Sequence, residues 1–194
     1  MRPHVEEFET RDLPAPFGIR LDFSHGGFTL GQAMTIRRAA DAWESKIASG
    51  PGVLMISCFS RHMDGPGGTL AYALEGAWFR RTVLPRNGTI VFDRDDLART
   101  NLRAVALHEM CHNLGFIDTT FWVAGLMTSR YRYIGPHATH AYGQPSIPME
   151  GSHWAEGALG HELMTPYLNG TTYISSVTLG ALVDLGYRLR ERGH

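Results

Sequence analysis

The sequence predicts an α+β domain with two lobes, and three observations support this fold class. The 194 residues suit a single domain, and the 43% hydrophobic content is enough to form a packed core. The first 116 residues combine strand-like alternation with amphipathic helices. Residues 117–173 are instead rich in Gly, Pro, His and aromatic side chains and show few periodic runs, which is typical of a loop-rich lobe.

The elements of the first lobe follow from periodicity and capping. Apolar residues alternate over 19–23, and short apolar runs follow at 53–60 and 89–92, so several strands are predicted. A Thr-x-x-Gln capping box begins an amphipathic helix over 30–48. These elements predict a mixed sheet packed against helices.

Two further helices have clear start and stop signals. Asn101 caps a helix over 102–114, and Gly115 ends it because Gly readily adopts the left-handed conformation. Ser176 caps a closing helix over 177–185. The layout places the helix 102–114 at the floor of a cleft between an N-terminal lobe and a C-terminal lobe.

The expected boundaries divide the chain into a lead-in, one domain and a tail. Residues 1–18 read as an extended lead-in, 19–188 as the domain, with its lobes at about 19–116 and 117–188, and 189–194 as a polar tail.

Composition excludes several classes of function. With 18 basic and 19 acidic residues the net charge is -1, which predicts neither a nucleic-acid surface nor a polybasic membrane patch. No stretch approaches the roughly 20 apolar residues of a membrane span. The N-terminus lacks the pattern of a secretory signal, so we expect either a cytosolic protein or a mature form from which the signal has been removed. The two cysteines, Cys58 and Cys111, are expected to be buried free thiols.

The segment His108-Glu109-Met110-Cys111-His112 has the spacing of a zinc site. Residues four apart share one face of a helix, so both imidazoles can bind one ion. Zinc lowers the pKa of a bound water to about 7, and Glu109 is placed to take its proton. This pattern predicts hydrolysis by a water that Glu109 activates, with Glu109 returning the proton to the leaving amine.

Spacing alone leaves the third ligand open. Asp118 completes the pattern His-Glu-x-x-His-x-x-Gly-x-x-Asp. A later histidine can also serve, and a neutral ligand would keep the site more positive than an aspartate would. The candidates are His137, His140, His153 and His161.

Several segments together resemble a known family. HEMCHNLGF at 108–116 is similar to the zinc helix of leishmanolysin-like metallopeptidases, a branch of the metzincins. The other similar segments are DGPGGTL at 64–70, LPRNGTIVFD at 84–93, Ser152-His153-Trp154, ELMT at 162–165 and the closing helix. The resemblance covers roughly residues 19–188 and implies a compact member that lacks the C-terminal domain of the large parasite proteins.

The resemblance implies a zinc endopeptidase with His153 as the third ligand and Met164 in the turn beneath the metal. It also suggests Tyr167 as a transition-state donor, although the spacing differs from that of other metzincins. Cys111 stands where a small residue is usual, and His161 where an asparagine is usual. We expect a secreted monomer that binds an extended protein or peptide substrate, with no nucleic-acid partner.

Two readings remain beside this one. A zinc-stabilised binding or scaffold protein would hold the metal without turnover, and a variant protease would use Asp118 in place of His153. Residues 67–71 are either part of an exposed edge strand that pairs with substrate or an ordinary turn before a strand.

Overall fold

The structure is a computed structural model that describes residues 16–168 and 172–191. Most of the predicted lead-in and the end of the predicted tail lie outside these residues. The strands are β1 Gly18–Asp22, β2 Ile47–Ser49, β3 Val53–Arg61, β4 Ala71–Glu75, β5 Asn87–Asp93, β6 Met127–Thr128, β7 Arg132–Tyr133, β8 Ile147–Glu150, β9 His153–Trp154 and β10 Arg188–Leu189. The helices are α1 Leu30–Glu44, α2 Leu102–Asn113, α3 Asp118–Val123, α4 Pro136–Tyr142, α5 Glu156–Leu159 and α6 Ser176–Leu185. The α+β class is therefore confirmed.

The larger sheet has the order β1-β3-β5-β4. Strands β1, β3 and β5 are parallel, whereas β4 runs antiparallel to β5 and forms the edge. This is the mixed sheet that the sequence predicts. The edge position of β4 leaves one side of its backbone without a partner strand among residues 16–168 and 172–191.

Helices α1 and α2 pack against each other and cover the sheet. Their shared core includes Ile36 and Trp43 of α1, both fully buried. The indole Nε1 of Trp43 donates a hydrogen bond to the carbonyl of Leu107 at 3.0 Å. Because Leu107 directly precedes His108, this bond anchors the part of α2 that carries the site.

Helix α1 is shorter than the sequence predicts. It ends at Glu44 rather than at residue 48, and residues 47–49 instead form β2, which pairs with β10. Ile47 fits a helical apolar stripe, yet it is fully buried in the strand conformation. Pairing with a segment about 140 residues later outweighs the local helical pattern, and it also draws Leu189 of the predicted tail into a strand.

The predicted start of helix α2 is confirmed, and the helix ends at Asn113, one residue earlier than expected. The side chain of Asn101 accepts the backbone N–H of Ala104 at 3.2 Å, as an N-cap does. Gly115 follows the helix with a φ of +96°, a backbone conformation that residues other than Gly rarely adopt. The chain can therefore turn sharply three residues after His112.

The C-terminal part consists of short elements held by α6. Strands β6 to β9 form a small antiparallel sheet, and α4 packs against α6. The cap of α6 is Ser175 rather than the predicted Ser176, because the Ser175 hydroxyl accepts the N–H of Thr178. Both cysteines are buried and free, as expected. None of the helices within 16–168 and 172–191 is long and apolar enough to cross a membrane.

Candidate metal centre

Three histidines converge at the floor of the cleft. The Nε2 atoms of His108 and His153 lie 3.0 Å apart, those of His108 and His112 lie 3.1 Å apart, and those of His112 and His153 lie 3.2 Å apart. The three nitrogens therefore form a nearly equilateral triangle. Within the described residues, this is the one group of three or more His, Cys, Asp or Glu side chains close enough to share an ion.

Helix α2 supplies two of the three imidazoles, and backbone carbonyls orient both rings. Nδ1 of His108 donates to the carbonyl of Leu163 at 2.6 Å. Nδ1 of His112 donates to the carbonyl of Phe116 at 2.7 Å. The turn at Gly115 brings the second carbonyl back towards the helix that it follows.

Strand β9 supplies the third imidazole, and hydrogen bonds of both its residues fix its position. His153 hydrogen-bonds to the backbone of Glu150, and the next residue, Trp154, is fully buried. The Trp154 backbone N–H donates to the carbonyl of Met164 at 2.9 Å, and its indole Nε1 donates to the hydroxyl of Thr178 at 2.8 Å. Helix α6 thus helps to place His153.

The hydrogen bonds determine which nitrogens face the centre of the triangle. A carbonyl oxygen only accepts, so the Nδ1 atoms of His108 and His112 carry the hydrogens. In a neutral imidazole the Nε2 atom then presents a lone pair. Lone pairs held this close together repel one another. A cation bound between the three nitrogens removes this repulsion, because it accepts their lone pairs.

Burial keeps these imidazoles neutral, which is the form that binds metal. Desolvation lowers the pKa of His108 to about 4, with the neighbouring His153 as a second cause. Desolvation is also the main cause that lowers the pKa of His112 and of His153. All three are therefore ready to act as ligands at neutral pH without losing a proton.

The size of the triangle suits a first-row metal ion. Two nitrogens that bind one zinc ion tetrahedrally are separated by about 3.3 Å, close to the three observed separations. Neutral imidazoles favour zinc, copper, iron or nickel, whereas calcium and magnesium prefer oxygen. The cluster can therefore hold a metal ion of this group.

Glu109 lines the same cleft beside the triangle. Burial raises the pKa of its carboxyl group to about 8. Burial is the one cause of this shift, and no Lys or Arg of the described residues forms an ion pair with Glu109. A metal ion in the triangle would supply the positive charge that keeps this carboxylate ionised.

The cleft is open and has a volume of about 610 Å³. Edge strand β4 and the residues before it form one wall, which includes Gly68 to Ala73. Two aspartates hold the turn that leads into this wall. Asp64 accepts the N–H of Thr69 at 3.0 Å, and Asp96 accepts the N–H of Gly67 at 2.9 Å.

The other predicted site residues take different places. Asp118 lies outside the triangle and accepts hydrogen bonds from the hydroxyl of Ser152 and from the N–H of Thr119. Met164 is fully buried in the turn that follows Leu163. Tyr167 lines the cleft but is 64% exposed. His161 is exposed and outside the triangle.

The remaining open candidates for the third ligand are also placed elsewhere. His137 pairs with Asp184 at 2.7 Å, and His140 is exposed on α4 outside the triangle. Cys111 is fully buried and takes no part in the triangle. Among the described residues, the structure brings together His108, His112 and His153 alone.

Sequence reasoning missed the groups that orient the ligands. These are the carbonyls of Leu163 and Phe116 and the buried carboxylate of Glu162. Backbone carbonyls leave no mark in a sequence. The hydrogen-bond donors to Glu162 come partly from residues 13 and 16 positions later, so no local motif indicates this contact.

Neither a protein-family model nor a curated protein matches this chain. The resemblance of the motifs to leishmanolysin-like metallopeptidases therefore stays a prediction.

Proposed function

We propose that this protein is a zinc-dependent endopeptidase of the metzincin type, similar to leishmanolysin-like metallopeptidases. One observation carries the proposal. Three neutral imidazoles converge beside the buried carboxylate of Glu109, in a cleft that is open to substrate. A site that only stabilised the fold would have little use for an adjacent carboxylate or for an open coordination side.

The chemistry divides between the metal and the chain. Zinc, when bound, supplies a Lewis acid and lowers the pKa of a coordinated water to about 7. Glu109 takes a proton from water in the cleft and later delivers it to the nitrogen of the leaving amine. The buried setting of Glu109 favours this exchange, because burial raises its affinity for a proton.

The cleft wall suggests how the substrate is held. Strand β4 is the edge of its sheet, and an extended peptide can add to such an edge through backbone hydrogen bonds. The wall next to the triangle is uncharged over Gly68 to Ala73. We therefore expect a protein or peptide substrate that binds extended, with uncharged side chains near the scissile bond.

A substitution of the proposed base tests the function. Glu109→Gln keeps the shape of the side chain but removes its capacity to take a proton. We expect the variant to retain one zinc ion per chain and to lose about 10²- to 10⁴-fold in casein cleavage. Glu191→Gln, at an exposed glutamate far along the chain, is the matched control and should cleave casein like the wild type.

Two results would refute the proposal. Normal cleavage by zinc-loaded Glu109→Gln would exclude Glu109 as the base. Inactivity of the zinc-loaded wild type against a broad peptide library would favour a zinc-stabilised binding protein instead.

The third ligand has its own test. His153→Ala should lower the zinc content of the purified protein, and Asp118→Ala should leave it at one ion per chain, because Asp118 lies outside the triangle. Metal analysis of both variants measures this directly. Full zinc content in His153→Ala with loss in Asp118→Ala would support the alternative ligand set.

A further inference from the structure

Glu162 has a fully buried carboxylate and directly precedes Leu163, whose carbonyl contacts His108. It is not one of the three residues that could hold the metal ion. One of its oxygens, Oε2, accepts the backbone N–H of Met164 at 2.5 Å. The other, Oε1, accepts the N–H of Ser175 at 2.9 Å and the hydroxyls of Ser175 and Thr178 at 3.0 and 2.7 Å. Four neutral donors thus surround the carboxylate.

The two hydroxyls donate their hydrogens to Glu162. The Ser175 oxygen accepts the N–H of Thr178, and the Thr178 oxygen accepts the indole N–H of Trp154. Each hydroxyl has one hydrogen and two acceptor sites, so it can accept this N–H and still donate its hydrogen to Glu162. A group that receives four donors is an acceptor in every direction, which is the character of an ionised carboxylate.

One peptide group connects this carboxylate to a metal ligand. The N–H of Met164, which Glu162 binds, and the carbonyl of Leu163 are the two ends of the same peptide. That carbonyl accepts Nδ1–H of His108 at 2.6 Å. Resonance couples the two ends of a peptide, so a negative charge at the N–H makes the carbonyl oxygen a stronger acceptor.

We infer that Glu162 is a positioning residue of the metal centre that acts on His108 through the Leu163–Met164 peptide. It holds His108 with the hydrogen on Nδ1 and makes Nε2 a stronger ligand. Carboxylates that contact a ligating histidine directly have this effect. Here a peptide stands between the two groups, and the inference rests on the proposed metal-binding function.

His112 provides an internal comparison. Its Nδ1 donates to the carbonyl of Phe116 at 2.7 Å, nearly the same distance as for His108. The N–H at the other end of that peptide belongs to Ile117 and donates to the neutral carbonyl of Gly115 at 2.8 Å. Both ligands therefore donate to a backbone carbonyl at nearly the same distance. They differ in the group that accepts the N–H of that peptide, which is a carboxylate for His108 and a neutral carbonyl for His112.

The test uses Glu162→Gln, which keeps an oxygen able to accept the N–H of Met164 but removes the charge. We expect zinc affinity, measured by competition with a chelator, to fall about 10- to 100-fold. In zinc-loaded protein labelled at histidine, the Nδ1–H proton resonance of His108 should move upfield while that of His112 stays in place. Val177→Ala, which removes buried methyl groups from α6 but none of the hydrogen bonds to Glu162, should lower stability but change neither reading.

Three outcomes would overturn the inference. One is unchanged zinc affinity with an unchanged His108 signal in Glu162→Gln. Another is an equal shift of the His108 and His112 signals, and a third is equal loss of affinity in Glu162→Gln and Val177→Ala. Each of the last two would reduce Glu162 to a general structural role.

The wild type provides a second measurement in case Glu162→Gln does not fold. The His108 Nδ1–H proton should resonate downfield of the His112 proton despite the similar distances, and equal shifts would refute the inference. If the wild type binds no zinc, the proposed function itself fails, so the two failures are distinguishable.

Discussion

Removal of the metal should lower the melting temperature, because the ligands come from distant parts of the chain. His112 and His153 are 41 residues apart, and the ion would join α2 to β9. At free zinc of about 100 times Kd, binding to the folded state alone stabilises it by about 2.7 kcal/mol. An unfolding entropy of about 2.1 cal/mol/K per residue gives about 0.41 kcal/mol/K for 194 residues. The melting temperature should therefore fall by about 7 °C on chelation.

Scanning calorimetry in zinc buffers and in excess chelator measures this difference. His153→Ala should lose most of the zinc-dependent shift, because one of its three ligands is missing. His161→Ala is the matched control, since His161 lies outside the triangle, and it should keep the full shift. The reasoning is refuted if the wild type melts at the same temperature in both solutions, or if His153→Ala retains the whole shift.

Two further predictions concern the core around α2. Gly88→Ala should lower the free energy of unfolding by about 1–3 kcal/mol or more in urea titrations, because the new Cβ would lie 1.6 Å from Oδ1 of Asn113. Gly31→Ala, at an exposed position of α1 with nothing within 4 Å of the new Cβ, should not lower it. Burial raises the pKa of the Cys58 thiol to about 12, so a thiol reagent at mildly alkaline pH should label neither Cys58 nor Cys111 until guanidinium unfolds the protein. Because the unfolded thiol ionises first, stability should also fall as the pH rises from the ordinary pKa of a thiol towards 12.

The elements that the sequence predicts well are those with local start and stop signals. Helix α2 has a side-chain cap at Asn101 and a left-handed glycine at Gly115, and both signals depend on contacts within a few residues. The capping box of α1 at Thr29 is likewise confirmed, with reciprocal bonds to Gln32. Where an element ends for reasons of tertiary pairing, as at residues 47–49, local periodicity gives the wrong boundary.

The candidate site divides in the same way. His108 and His112 follow from helical spacing alone, because four residues return the chain to the same face. Spacing does not decide whether His153 or Asp118 is the third ligand. The family resemblance favours His153, and the structure places His153 in the triangle. The carbonyl of Leu163 and the carboxylate of Glu162 could not be predicted, because their partners meet only when the chain has folded.

The buried position of Trp154 has a practical consequence for spectroscopy. The chain has four tryptophans, of which Trp43 and Trp154 are fully buried, whereas Trp78 and Trp122 are 39% and 44% exposed. A soluble quencher such as acrylamide would suppress emission from the exposed pair first. The remaining blue-shifted fluorescence would come from Trp43, whose indole donates a hydrogen bond to α2, and from Trp154, which directly follows His153. The protein therefore contains its own optical reporter of the interior, and it needs no attached dye.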